Sequence, residues 1–380
     1  MTSSTFTRLD TFIHDFETIV NIDSASGNLA GIQRVAQFFQ KRFSAIGLET
    51  ELLFLSDKKV PCLQARTRQA AKPFDFMFLG HMDTVFPQGE VKKRPFSIQG
   101  NQALGPGVCD MKGGLLVVLH AVEQLKAKGL LDQLSLCIAF NGDEETGSEA
   151  SKNWIKTLAK ESRRALVFEP CRPGYHVVTQ RKGGGWFQVT VTGQEAHAGA
   201  DPEKGANAVV EIAHQIVAIN GLNDPEQGTS AQVTVVHGGD KVNIIPATAN
   251  AMVDIRIAKI AEKKRVETFF DCLPQKTILD GVTLTVSGQV DRPPMEPTPA
   301  SRDLLKQLVD QGKTLGVDIH SISTGGCSDG NFVSASGTPT IDGLGLVGAN
   351  SHRQDEYVEL ASIPVMVNLI TNLVADYLAL

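Results

Sequence analysis

Within Phe74-Asp75-Phe76-Met77-Phe78-Leu79-Gly80-His81-Met82-Asp83-Thr84-Val85 a largely apolar run stops at a histidine, with an aspartate two residues on. Such a run reads as a buried strand, which puts His81 where the strand gives way to a loop. A neutral imidazole there can bind a metal through one ring nitrogen while the other needs a fixed acceptor, a role Asp83 fills if it folds back. An exposed loop with an unrelated His and Asp fits the same stretch.

Two further apolar runs end in acids. Residues 134–140 lead into Asn141-Gly142-Asp143-Glu144-Glu145, and residues 165–168 end at Glu169-Pro170. A solvated acidic turn would explain the first. Neighbouring residues in extended backbone point in opposite directions, so Glu144 and Glu145 are also able to serve different purposes, one on a metal and one on a water. Between these runs, Gly105-Pro106-Gly107-Val108-Cys109-Asp110 precedes the apolar run 115–119. Asp110 therefore stands at a loop-to-helix junction, where an ordinary helix cap is the plain alternative. Strands alternating with helices imply a largely parallel sheet, and such sheets collect ligands at the carboxyl ends of their strands. His81, Glu144, Glu145 and Glu169 all fall at such ends, with Asp110 in a loop nearby.

The remaining pattern fits an α/β protein interrupted by an insertion. Helical periodicity covers 9–22 and 28–47, strands are expected at 50–55 and 62–67, and 86–104 reads as loop or short hairpin. From about residue 178 the order becomes β-α-β-β-α-β, with strands at 184–192, 231–236, 249–257 and 282–286 and helices at 205–219 and 261–272, the order of a ferredoxin-like domain. The proline-rich stretch 291–299 is a natural return linker. This predicts a catalytic domain of mostly parallel sheet, split into 1–177 and 292–380, around an inserted α+β domain at 178–291.

Composition narrows the function classes. The 380 residues are 42% hydrophobic and 21% charged, with a formal net charge of -6 and no basic stripe, which argues against nucleic acid as a partner. No apolar stretch of about 20 residues to span a bilayer is read in the sequence, and the polar N-terminus lacks a signal-peptide pattern. The six cysteines are scattered, with no Cys-x-x-Cys pair, and read as reduced thiols. A cytoplasmic protein is expected.

With His81-Met82-Asp83, Asp110, Asp143-Glu144-Glu145, Glu169-Pro170, His197-Ala198-Gly199 and His352 in this order, the chain resembles the dinuclear zinc aminoacylase and carboxypeptidase family over essentially its whole length. His81 to Val85 and the ending Asp355-Glu356-Tyr357-Val358 look most like its glutamate carboxypeptidase branch. The resemblance implies that Asp110 bridges two zinc ions, with His81 and Glu169 completing one site and Glu145 and His352 the other; cobalt or manganese are alternative metals. It implies that Asp83 orients His81, that Glu144 is the general base, and that the inserted domain forms a homodimer in which His197 of one subunit steadies the oxyanion in the other. Imidazole and carboxylate donors of this kind suit zinc.

A substrate carboxylate needs a fixed cation, and Arg can grip one with two hydrogen bonds. Arg256 and Arg292 resemble the glutamate-binding arginines of that branch. Arg256 could equally pair with Asp254, and Arg292 could be a surface linker residue. Lys182 and Asn243 are further candidates, Asn243 being equally suited to a turn. The implied activity is hydrolysis of the amide bond to a C-terminal glutamate-like residue in a small peptide or N-acyl amino acid. The alternative is an N-acyl amino acid deacylase of the acetylornithine deacetylase or desuccinylase kind. A ligand-binding protein without catalysis is the reading from another class, and Glu144 argues against it.

Overall fold

A computed structural model describes residues 8–68 and 71–379. In it, Phe76–His81 is a wholly buried strand whose alternation feeds two cores at once. Phe76 and Phe78 join one cluster with Leu136, Ile138 and Phe140, while Met77 and Leu79 join another with Cys137 and Ala139. A sheet covered on both faces is built from continuous apolar runs, which is why this stretch is apolar at nearly every position.

The chain divides into two compact units. The first comprises the residues up to Thr179, Pro297–Ser323 and those from Ser328 on; the second is Gln180–Glu296 with Thr324–Cys327. The division thus falls a few residues beyond the expected 177/178 and 291/292, because the last strand of the second unit runs through Arg292. Thr324–Cys327, expected in the returning segment, groups with the second unit: the Lys182 amide donates to the Thr324 carbonyl at 3.1 Å, and the Cys327 thiol donates to the Lys182 carbonyl at 3.2 Å.

In the first unit, strands β1 (Glu49–Leu55), β2 (Val60–Arg66), β3 (Phe76–His81), β4 (Leu136–Asn141), β5 (Ala165–Val167) and the short Thr340–Ile341 form one sheet in the order β1-β2-β4-β3-β5-Thr340–Ile341. From β4 to Thr340–Ile341 the neighbours are parallel, and β1 and β2 add an antiparallel edge. His81 pairs with Asn141 and Leu79 with Val167, so His81, the turn after Asn141 and Glu169 emerge together at one edge of the sheet.

The helix Gly113–Ala127 is buried at every position from 113 to 122, as expected of a helix apolar on all sides. Gly114 lets it approach the sheet: a Cβ there would stand 2.0 Å from the Phe168 carbonyl oxygen. That approach brings the turn carrying Asp110 close to Glu169. The closing helix Ser362–Ala379 is long and apolar enough, by length and composition, to cross a membrane. Its Met366, Val367, Leu369, Ile370 and Val374 are buried in the core of this unit, which accounts for its composition.

The second unit has strands β6 (Gly183–Thr192), β7 (Ser230–Gly238), β8 (Thr248–Ile257) and β9 (Thr283–Arg292) in the order β7-β8-β6-β9, with every neighbouring pair antiparallel. The helices Ala208–Asn220 and Ile260–Cys272 complete the β-α-β-β-α-β order. Phe187, Val189, Val253 and Ile255 form its core with Ile212 and Phe270. The intervening positions, Gly184, Trp186, Asp254 and Arg256 among them, turn to the other face.

Candidate metal centre

Asp110 is the hub of the site. It precedes the helix Gly113–Ala127 in an irregular turn, and its peptide bond to Met111 is cis. It does not cap the helix, because its two oxygens face two histidines. Oδ1 lies 3.1 Å from His81 Nε2 and Oδ2 lies 3.2 Å from His352 Nε2. Glu169 Oε1 is 3.7 Å from His81 Nε2, and Glu145 Oε2 is 3.2 Å from His352 Nε2. Two groups of three converge, His81–Asp110–Glu169 and Asp110–Glu145–His352, each with one donor atom per residue and all atoms within 4.8 Å of one another.

The electrostatics express how close these groups are. Burial opposes a charge on His81, yet Asp110 and Asp83 hold its imidazole well above the ordinary range. His352, beside Asp110 and Glu145, is pushed up to about 10. Burial and the charge of Asp110 push Glu169 well up. Burial, partly offset by His352, takes Glu145 to about 7. Asp110 is buried too, but His352 and His81 hold it far below the usual carboxylate range. Protons on both histidines offset the charge of Asp110, while burial and that same charge disfavour ionisation of Glu169 and Glu145.

A pair of divalent metal ions fits these residues. Glu145 Oε1 is buried without a hydrogen-bond partner, which a bound cation would supply. The set offers imidazole nitrogen and carboxylate oxygen and no thiolate, the chemistry of zinc and its neighbours.

Asp83 does more than the sequence assigned to it. The acceptor nearest His81 Nδ1 is the Asp83 backbone carbonyl at 3.0 Å, with carboxylate Oδ1 at 3.4 Å. The carboxylate also receives the amides of Glu144 and Glu145, each at 3.2 Å, and the Ser26 hydroxyl at 2.8 Å. One buried side chain therefore touches the His81 ring and sets the turn Glu144–Thr146. The Glu144 carboxylate adds to the charge that pushes Glu145 and Glu169 up, so it faces the same cluster.

Sequence reasoning assigned no role to several residues that hold the site in place. Asp143 accepts the amides of Ala150 and Ser151 at 2.8 and 3.3 Å and the Ser151 hydroxyl at 2.6 Å. Asn141, at the end of β4, donates to Ser151 and Asp329. The buried Lys112 ammonium donates to the Ile22 carbonyl at 2.8 Å, and burial lowers it to about 7. The buried Glu356 carboxylate receives three amides of the Asp110 turn.

In the second unit the structure brings the remaining candidates into two groups. Ala196–His197 pairs with Ile244–Ile245, and the Ala198 amide donates to the Asn243 carbonyl at 2.9 Å, so His197 and Asn243 share one exposed ribbon. Arg256 on β8 and Arg292 on β9 both pair with Gly184 on β6 and flank it. Arg256 commits its fork to Asp254, with two bonds of 2.9 Å, as the alternative reading held, and its Nη1 lies 3.5 Å from Cys327 Sγ. Arg292 is buried and is no surface linker residue. Lys182 takes part through its backbone, as described above.

Comparison with known proteins shows what the chain is similar to. The model of peptidase family M20/M25/M40 matches residues 77–376. Carboxypeptidase G2 from Pseudomonas sp. (strain RS-16) is 31% identical over 375 residues, covering 96% of this chain and 88% of that protein. The succinyl-diaminopimelate desuccinylase of Pelagibacter ubique (strain HTCC1062) is 26% identical over 369 residues, covering 90% and 93%. Among solved structures, aminopeptidase PepT from Bacillus cereus ATCC 10987 has a TM-score of 0.78 at 20% identity, covering 98% of this chain and 99% of that one. The metallo-carboxypeptidase Sso-CP2 from Sulfolobus solfataricus has a TM-score of 0.75 at 16% identity, covering 97% and 99%.

Proposed function

The chain belongs to peptidase family M20/M25/M40, and from that premise we propose that it is a dinuclear zinc amidohydrolase cleaving the amide bond to a C-terminal glutamate-like residue. The observation that carries the proposal is Asp110 standing between His81 and His352, with Glu169 and Glu145 behind them. Two zinc ions held by His81, Asp110 and Glu169 and by Asp110, Glu145 and His352 would polarise the amide carbonyl and acidify a water. Glu144 takes the proton of the attacking water and delivers it to the leaving amine. Asp83 keeps Glu144 and Glu145 in register through their amides.

His197 is suited to the developing oxyanion. Its Nδ1 accepts the amides of Gly199 and Ala200 at 3.2 and 3.0 Å, which leaves the hydrogen of the neutral ring on Nε2 as a donor. In this reading His197 acts across a homodimer. Support comes from the second unit, where β7 is an edge strand with Val235 and Val236 exposed and the helix Ala208–Asn220 exposes Val209, Val210 and Val217. Edge strands of this kind invite pairing with a second copy. Arg256 and Arg292 beside Gly184 support recognition of a substrate carboxylate, with Lys182 and Asn243 as further contacts. The six cysteines are all free thiols, which favours the cytoplasm.

The likeness to desuccinylases favours a second reading, an N-acyl amino acid deacylase built on the same centre. Metal content of the purified protein, measured beside hydrolysis of N-acyl-glutamates and N-acetyl amino acids with and without chelator, separates the readings. Two zinc ions per chain and chelator-sensitive glutamate release are expected. Two metals with cleavage of the N-acetyl series alone would move the assignment to the deacylase. No bound metal after zinc is resupplied would overturn both.

A further inference from the structure

Glu356 lies four residues beyond His352, fully buried, yet it forms no ion pair among the described residues. Its carboxylate is satisfied by backbone. Oε1 accepts the amides of Cys109 at 2.6 Å and Asp110 at 3.0 Å, and Oε2 accepts that of Gly107 at 3.3 Å. The turn these amides belong to is irregular, with Gly107 at φ 77° and Asp110 and Met111 outside helical geometry. The amides of Val108 and Lys112 go to the Gly105 and Gly107 carbonyls, and those of Gly107, Cys109 and Asp110 are satisfied by this one side chain.

The loop that supplies Glu356 also supplies His352, and both converge on Asp110. The imidazole meets the Asp110 carboxylate at 3.2 Å, and Glu356 meets the Asp110 amide. The loop is held under strain. Asn350 and His352 have φ of 63° and 68°, a region that non-glycine residues enter at a cost. Three contacts pin it: the Arg94 guanidinium donates to the Gln354 carbonyl at 2.5 Å, Asn350 donates to Asp355 Oδ2 at 3.0 Å, and Arg353 grips Asp355 at 2.9 and 3.1 Å.

We propose that Glu356 is a positioning residue of the centre, setting where the Asp110 carboxylate stands between the two ligand groups and tying that position to the loop that carries His352. The proposal rests on the metal-centre reading above. It would make the second ion's site depend on a carboxylate that contacts no metal.

The test is metal binding by Glu356→Gln and Glu356→Asp, with cobalt(II) as probe. Stoichiometry and stepwise affinity are read by calorimetry, ligand geometry by the visible cobalt spectrum, and fold by circular dichroism of the metal-free chains. Gln keeps one acceptor oxygen but turns an amide group toward backbone N–H, and Asp keeps the charge on a shorter stem. In a folded variant, at least one of the two binding steps should weaken about 10- to 100-fold, the usual effect of losing a group that orients ligands. The cobalt spectrum should change with it, and Asp should recover more of the affinity than Gln. Wild-type affinity and spectrum in either folded variant would overturn the proposal. If Gln fails to fold, the Asp variant decides by the same criteria. Absence of cobalt binding by the wild-type chain would instead defeat the metal-centre reading on which the proposal stands.

Discussion

The Asp83 carboxylate accepts the backbone N–H of Glu144 through Oδ1 at 3.2 Å. Its other oxygen takes the next amide, that of Glu145, at the same distance. The residue proposed as general base and a proposed metal ligand are thus placed by one buried side chain from a different strand end. Asp83→Asn would leave an NH2 group facing an amide N–H. The expected result is a 10- to 100-fold fall in kcat with KM changed less, read by steady-state kinetics at saturating zinc. An unchanged kcat would show that the turn holds its shape without Asp83.

Glu144→Gln removes the proton acceptor and leaves every proposed ligand in place. Turnover should fall by about 10²- to 10⁴-fold, while metal analysis still finds the wild-type content. Loss of metal together with activity would make Glu144 a ligand instead of a base.

Metal binding should release protons. His352 is held up to about 10 by Asp110 and Glu145, and His81, despite its burial, is held well above 6.5 by Asp110 and Asp83. Both are therefore protonated near pH 7 in the metal-free chain, and both must be neutral to coordinate. More than two protons per loaded chain are expected from calorimetry in buffers of different ionisation heat, because Glu169, pushed well up, and Glu145, at about 7, must also lose their protons to coordinate, with affinity rising as pH rises. For the metal-free chain the sign is opposite. A group whose value is raised by folding stabilises fully below its unfolded value, 6.5 for His352, and that contribution is lost as pH rises through about 10. The Tm difference between chelated wild type and chelated His352→Gln should therefore shrink as pH rises over this interval, and a difference that grows would contradict the protonated cluster.

Far from the centre, Asp15 joins three helices of the first unit. It takes an ion pair from Arg42 at 2.5 Å and lies 3.1 Å from His120 Nε2, while Arg42 also reaches Glu123 at 2.7 Å. Burial raises Asp15, but His120 and Arg42 bring it below its usual value of 3.8. Its contribution to stability is thus present above pH 3.8 and lost as pH falls through the lower folded value. Asp15→Ala leaves Arg42 partly buried with one partner fewer and should cost about 3–5 kcal/mol in urea unfolding at pH 7. A cost below 1 kcal/mol would mean that Arg42 is satisfied by Glu123 alone.

If β7 pairs with a second copy, a charge on its exposed positions should separate the subunits. Val236→Asp is expected to weaken self-association at least tenfold in analytical ultracentrifugation, with the Tm of each chain little altered because Val236 is 49% exposed. Unchanged association would direct attention to a different face.

Much of the fold was legible because apolar runs ending in polar residues are local signals. The strand before His81, the strand before Asn141 and the strand before Glu169 each announced both a buried sheet and a chemical edge. The inserted order of strands and helices was equally local. The unit boundaries were not, since the pairing of Thr324–Cys327 with Lys182 spans more than 140 residues of chain and leaves no periodic trace.

His81, Asp110, Glu145, Glu169 and His352 could be picked out by residue type, position at element ends and family likeness. Their convergence depends on parallel strand register and on a glycine that lets one helix approach the sheet. Lys112 and Glu356 carry no sequence signal of their kind, because each acts by satisfying backbone groups distant in sequence. Arg256 pairs its fork with Asp254, a partner two residues away that the sequence already offered. By itself, then, the sequence determined which segments are buried and which donors stand at their ends, because hydrophobic periodicity and turn chemistry act over a few residues. Tertiary structure alone decided which carboxylate orients which loop, because burial obliges each polar group to find a partner wherever the fold brings one.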